Sequence, residues 1–139
     1  MYRRVLAFDF DGTLAEQGTI PLALQTALEQ LHTSGYALFM VTGQRFAGAE
    51  LGSLEDLFAG IVWEDGAVLH HTVADEVYLP FGRIDPRLVE ALELAGVPLE
   101  HGKAIVSTRI PYDETVWHVL NEWGGDAVIA HNRGVVRVL

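Results

Sequence analysis

Asp9-Phe10-Asp11-Gly12-Thr13 is the segment of this 139-residue sequence whose residue types and spacing can do chemistry. Two carboxylates two residues apart can present one oxygen cluster to a hard cation such as Mg²⁺. Gly12 permits a tight turn whose backbone amides face the same spot. The segment directly follows the apolar run Val5-Leu6-Ala7-Phe8, and in a parallel α/β sheet ligands bind beyond the carboxyl ends of strands. A calcium loop is a poor account, because the twelfth position counted from Asp9 is Ile20 where such a loop needs Glu. The six histidines do not assemble a metal site on spacing. His70 and His71 are adjacent in a predicted strand and so face opposite sides, and His32, His101, His118 and His131 show no ligand spacing. Without cysteine there is no disulfide framework, no thiolate zinc site and no cysteine nucleophile.

The elements that must position Asp9 and Asp11 follow from the pattern around them. The run Val5–Phe8 is short and uniformly apolar, which predicts a buried parallel strand. Pro21 suits a first helical turn. Leu22, Leu24, Ala27, Leu28 and Leu31 continue at near-helical spacing until Gly35 ends the helix. Tyr36–Val41 is a second apolar run, stopped by Thr42-Gly43, so a right-handed βαβ unit with parallel strands is expected. An amphipathic stretch from Arg45 to Phe58 leads to a third strand, Gly60–Trp63, and Glu64-Asp65-Gly66 is a hairpin turn before Ala67–His71. Asp65 reads as a turn residue.

After about Pro80 the pattern changes. A helix from Asp85-Pro86 to Gly96, a strand at Ala104–Ser107 and a helix from Asp113 to Trp123, with Asp113 as N-cap, are expected. Two closing strands, Ala127–Ala130 and Val135–Val138, flank a turn at Asn132-Arg133-Gly134. The predicted class is α/β, with a parallel-sheet half-domain over 1–80 and an appended small α+β module over 81–139. Trp63, Trp117 and Trp123 read as packing residues, and the last two as candidates for lining a pocket.

Nine Lys and Arg against nineteen Asp and Glu give a net charge of −10. Such a surface repels phosphate backbones and anionic bilayers, which argues against nucleic acid and membrane as partners. A small anionic substrate remains open, because a local site can oppose the global field. The amino terminus meets an acid after only four apolar residues; a signal peptide needs a longer run and a membrane helix about 20 apolar residues. With no cysteine, a reducing cytoplasm is the expected location.

Asp9-Phe10-Asp11-Gly12-Thr13 after a hydrophobic strand, Thr42 at the end of the next strand, and the Glu64-Asp65-Gly66-Ala67 turn stand in order along the chain. In these three pieces the sequence resembles the phosphatase branch of the haloacid dehalogenase (HAD) superfamily, in the subgroup with a C2-type cap after the third strand. The resemblance implies a Rossmann-like core carrying a small cap. It also implies a Mg²⁺-dependent phosphomonoester hydrolase acting on a small phosphorylated metabolite. Asp9 would be the nucleophile that becomes an aspartyl-phosphate, and Asp11 the acid and base. The Asp9 carboxylate and the Asp11 backbone carbonyl would hold Mg²⁺, while Thr42 and the amides of Gly12 and Gly43 would hold phosphoryl oxygens. On its residues alone, Thr42 serves equally as a strand-ending cap.

The sequence also departs from the family. Thr42-Gly43-Gln44-Arg45 stands where the subgroup often reads Thr-Gly-Arg, and Asp65 replaces a frequent Asn. Lys103, the only lysine, lies within the cap-like module, and nothing after Val138 supplies the family's third-motif Lys or fourth-motif acidic pair. The resemblance therefore predicts a fragment, a natural truncation or half of a split enzyme, with doubtful stand-alone turnover. It further predicts a homo-oligomer or a complementing chain beside the motif-bearing strand. Two rivals are a non-catalytic phosphate-binding or regulatory module, and a receiver-like domain with Asp65 as acceptor. The Asp-x-Asp-Gly-Thr pattern and the appended module favour the first family over the receiver.

Overall fold

Asp9 ends β1 (Val5–Asp9), which pairs in parallel with β2 (Ala37–Val41) from Val5 opposite Ala37 to Asp9 opposite Val41. The computed structural model in which this register is seen describes residues 4–139. The chain divides into two compact units, one ending at Pro80 and the other running from Phe81 to Leu139. In the first unit β3 (Phe58–Trp63) continues the parallel sheet beside β2. Then β4 (Val68–His71) and β5 (Glu76–Tyr78) add antiparallel strands, giving the order β1-β2-β3-β4-β5. The βαβ start and the hairpin are as expected, while β5 carries too little apolar pattern to be read from sequence.

The expectation of a buried β1 is corrected. Its residues alternate, with Leu6 and Phe8 half-buried and Val5, Ala7 and Asp9 exposed. Val5 is 59% exposed, whereas Leu38 and Met40 of β2 are fully buried. The physical reason is position: among the described residues β1 has a neighbour on one side only and is the sheet edge. A uniformly apolar run shows that a strand is suited to burial, not that the chain provides the cover.

The connecting elements follow their local chemistry with some shifts. α1 (Leu22–Thr33) buries Leu28, with Pro21 at the N-cap rather than inside the first turn, and Gly35 beyond the helix takes φ +87°. The Arg45–Phe58 stretch does not form an amphipathic α-helix. Ala47 and Gly52 adopt φ of +58° and +56°, which interrupts helical propagation and leaves only a 3₁₀ segment, Gly52–Leu57. Gly60 has a packing reason. A Cβ there would lie 2.9 Å from the Phe39 ring, so only glycine lets that ring cross β3.

The second unit packs α2 (Pro86–Leu94) and α3 (Asp113–Trp123) over an antiparallel sheet. Its strands are β6 (Glu100–His101), β7 (Val106–Arg109), β8 (Ile129–Asn132) and β9 (Val135–Val138), in the order β6-β7-β9-β8. Leu88, Leu92, Val97, Val106, Val116, Val136 and Val138 form its core. Each fully buried side chain of this size contributes about 1.5–3 kcal/mol. Three boundaries move relative to expectation. The strand expected at Ala104–Ser107 starts at Val106, the one expected at Ala127 starts at Ile129, and Tyr112 rather than Asp113 occupies the N-cap of α3. Arg133 and Gly134 both have positive φ, as a two-residue primed hairpin turn requires. β9 pairs with β7 on one side and with β8 on the other, within this unit's own sheet. Among the described residues no helix is long and apolar enough to cross a membrane.

Candidate active site

The two carboxylates are set by a buried residue between them. The Phe10 side chain is buried, its N–H donates to Val41 O at 3.1 Å, and its carbonyl accepts from Leu14 N at 3.1 Å and Ala15 N at 2.8 Å. Phe10 thus ties the turn to β2 while leaving Asp9 exposed at the strand end and Asp11 half-buried beyond it. Thr13 Oγ1 donates to Asp9 Oδ2 at 3.5 Å. Gly12 takes φ +79° and its N–H donates to Ala15 O at 3.0 Å. That amide, expected to face a phosphoryl oxygen, is occupied within the turn.

Thr42 follows β2 and is 2% exposed. Its N–H donates to Val62 O at 2.9 Å, which fixes the backbone against β3. Its hydroxyl donates to Asp11 Oδ2 at 3.4 Å and accepts from Gln44 N at 3.1 Å. Parallel register therefore brings Asp9, Asp11 and Thr42 to the same end of adjacent strands, although Asp11 and Thr42 are 31 residues apart in sequence. Gly43 joins Thr42 to Gln44.

Two residues of this site were not singled out by sequence. Gln44 Nε2 donates to Asp11 Oδ1 at 2.9 Å and to Oδ2 at 3.2 Å. The available signal was the glutamine standing just after Thr-Gly, where the resembling family reads Arg. Glu64, read only as part of a turn, is 1% exposed and has φ +53°. Its Oε2 accepts from Phe46 N at 3.1 Å, and its N–H donates to Gln44 O at 2.9 Å. The buried carboxylate thereby braces the 42–46 loop. Phe46 lies edge-on to Trp63, with ring centroids 5.9 Å apart. Asp65 also has positive φ and its N–H donates to Thr42 O at 3.4 Å, so the turn is coupled to the end of β2.

The histidines lie elsewhere in the packing. His70 is held with Nε2 at 3.1 Å from Asp75 and Nδ1 at 3.4 Å from Glu55. In the second unit Trp117 is 56% exposed and lines a cavity of about 430 Å³ with Asp113, Glu114, His118, Ile129 and His131. Trp123 packs against the core of that unit.

Among the described residues no group of three or more His, Asp or Glu side chains gathers as a metal cage. Magnesium, however, is commonly held by one or two carboxylates, with water and substrate phosphate completing its shell. The hard oxygen donors of Asp9 and Asp11 fit an ion bound in that way.

Neither a protein-family model nor a curated protein sequence matches the chain. Solved structures do. A HAD subclass IIB sugar phosphatase matches with a TM-score of 0.70 and 22% identity, over 97% of this chain and 69% of its own. A haloacid dehalogenase-like hydrolase from Bacteroides thetaiotaomicron matches with a TM-score of 0.77 and 11% identity, over 99% and 71%. The C-terminal domain of trehalose-6-phosphate phosphatase from C. albicans matches with a TM-score of 0.68 and 17% identity, over 98% and 56%. At these identities the likeness is one of fold. The class is α/β, with a parallel-rich sheet and a small appended α+β unit. More particularly, the fold is that of the HAD-superfamily phosphatases, as the sequence resemblance implied.

Proposed function

We propose that this chain carries the phosphoryl-transfer site of a phosphomonoester hydrolase that works through an aspartyl-phosphate on Asp9. The observation that supports this reading most is the gathering of Asp9, Asp11 and Thr42 at the carboxyl ends of adjacent parallel strands. Asp9 Oδ attacks phosphorus in line as the bond from phosphorus to the leaving oxygen breaks, and Asp11 delivers a proton to that oxygen. Asp11 then takes a proton from water, whose oxygen attacks the aspartyl-phosphate, releasing phosphate and restoring the Asp9 carboxylate. Thr42 Oγ1 and the Gly43 amide orient the phosphoryl oxygens. Asp9 and Asp11 would hold Mg²⁺, which supplies charge neutralisation between the anionic nucleophile and the phosphoryl group.

A small phosphorylated metabolite is the substrate class, and the unit from Phe81 to Leu139 is the cap-like module. The negative net charge argues against nucleic acid and membranes as partners. The absence of cysteine suits a reducing cytoplasm. The family's third-motif Lys and fourth-motif acidic pair have no counterpart in the 139 residues. Each missing charge-stabilising contact costs about 10²–10³ in rate, so slow turnover is expected of these 139 residues by themselves.

Acid quenching after incubation with an aryl phosphate, followed by peptide mass spectrometry, tests the reading. A phosphoryl adduct on Asp9, lost in Asp9→Asn, is the expected result. An adduct elsewhere, or hydrolysis unaffected by Asp9→Asn, would sink it. A second reading, a phosphate-binding module without turnover, is favoured by the occupied Gly12 amide. It predicts phosphate binding with no adduct on Asp9.

A further inference from the structure

We infer that Gln44 is a positioning residue that holds the Asp11 carboxylate in place for proton transfer; this rests on the reading of Asp11 as acid and base. The contact is specific. One amide nitrogen reaches both carboxylate oxygens, at 2.9 and 3.2 Å, so it restrains the rotation of the group as well as its place. Among the described residues, Thr42 is the other side chain hydrogen-bonded to Asp11, through Oδ2 at 3.4 Å. A hydroxyl has one proton, and Thr42 cannot give it to Asp11 and to a phosphoryl oxygen together. When a phosphoryl group takes that proton, the Gln44 amide is the side-chain anchor left on Asp11.

Gln44 is itself held well enough to do this. Its N–H donates to Thr42 Oγ1 at 3.1 Å, and its carbonyl accepts from Glu64 N at 2.9 Å. Two residues on, Phe46 N donates to Glu64 Oε2 at 3.1 Å, so the loop is pinned on both sides of Gln44 by one buried residue. A positioned proton donor needs this kind of second layer, because small misplacements at the reacting group cost large factors in rate.

Side-chain amide NMR on the whole chain reads the contact without relying on turnover. The expected result is a resolved, exchange-protected Gln44 Nε2 pair in the wild type, which moves to the position of exposed glutamines in Asp11→Ala. Backbone amide dispersion is recorded on both proteins to establish that each is folded. A Gln44 pair already at the exposed position in the wild type, or unmoved in a folded Asp11→Ala, would overturn the inference.

A kinetic comparison separates positioning from a merely structural role. In Gln44→Ala, kcat/KM for an alkyl phosphate, whose leaving oxygen needs a proton, should fall about tenfold or more. The value for p-nitrophenyl phosphate, whose leaving group departs as the anion, should change little. Equal losses on both substrates would overturn the inference. A wild type with no turnover counts against the hydrolase reading, while the amide signature still decides the role of Gln44.

Discussion

Glu64 is a carboxylate with almost no access to water, and its backbone sits in the left-handed region. Burial of a charged group is tolerated where hydrogen bonds replace the lost hydration, and the Phe46 N–H supplies one at 3.1 Å. Removing the side chain takes this acceptor from the half-buried Phe46 N–H, at a cost of about 1–3 kcal/mol. Glu64→Ala should therefore lower the denaturant midpoint and loosen the Gln44 contact on Asp11. Glu64→Gln keeps an acceptor oxygen and should lose less of both. Denaturant titration and the Gln44 amide signals measure the two effects, and equal behaviour of the two variants would refute the brace.

At the scale of elements, α2 has the most explicit local signal in the chain. Asp85 accepts from Arg87 N at 2.8 Å as N-cap, and its carboxylate also pairs with the Arg87 guanidinium at 2.8 Å. The Arg87 side-chain hydrogen bond, followed by the backbone one, holds the Asp85 carboxyl below its ordinary value. A lowered folded value means that the ionised group stabilises the fold above the ordinary aspartate range. That contribution is lost as pH falls through and below about 3.9. Asp85→Ala should lower the melting temperature near neutral pH, and the difference from wild type should narrow on acidification through that window. Thermal melts across pH check it, and a constant difference at every pH would contradict the capping role.

For the whole molecule, the uncovered edge of the first sheet is the dominant feature. Among the described residues no strand pairs with the outer side of β1, and Val5 and Val41 are 59% and 39% exposed. The carboxyl-terminal strands pair within their own sheet. Apolar strand edges favour association. The charge of −10 opposes it, so screening should strengthen it. The chain alone is expected to self-associate at low micromolar concentration, and more so with added salt. Light scattering that shows a monodisperse monomer at low and high salt would overturn this.

The sequence by itself determined what depends on neighbours along the chain. Residue types at fixed spacing sufficed for Asp9, Asp11, the strand end at Thr42, the glycine stop after α1 and the Asp85-Pro86 helix start, because each is decided within a few residues by turn, cap or strand chemistry. The amphipathic Arg45–Phe58 stretch did not announce its backbone, in which Ala47 and Gly52 take left-handed angles. Only the folded structure decided that Gln44 reaches Asp11, that Glu64 is buried behind the 42–46 loop, and that the Gly12 amide is occupied by Ala15. It also decided that β1 is an edge. The physical reason is that these are relations across parallel register or across a sheet boundary. A hydrogen bond between residues 33 positions apart leaves no periodicity in the chain, and an apolar strand has the same sequence whether or not another strand lies beside it.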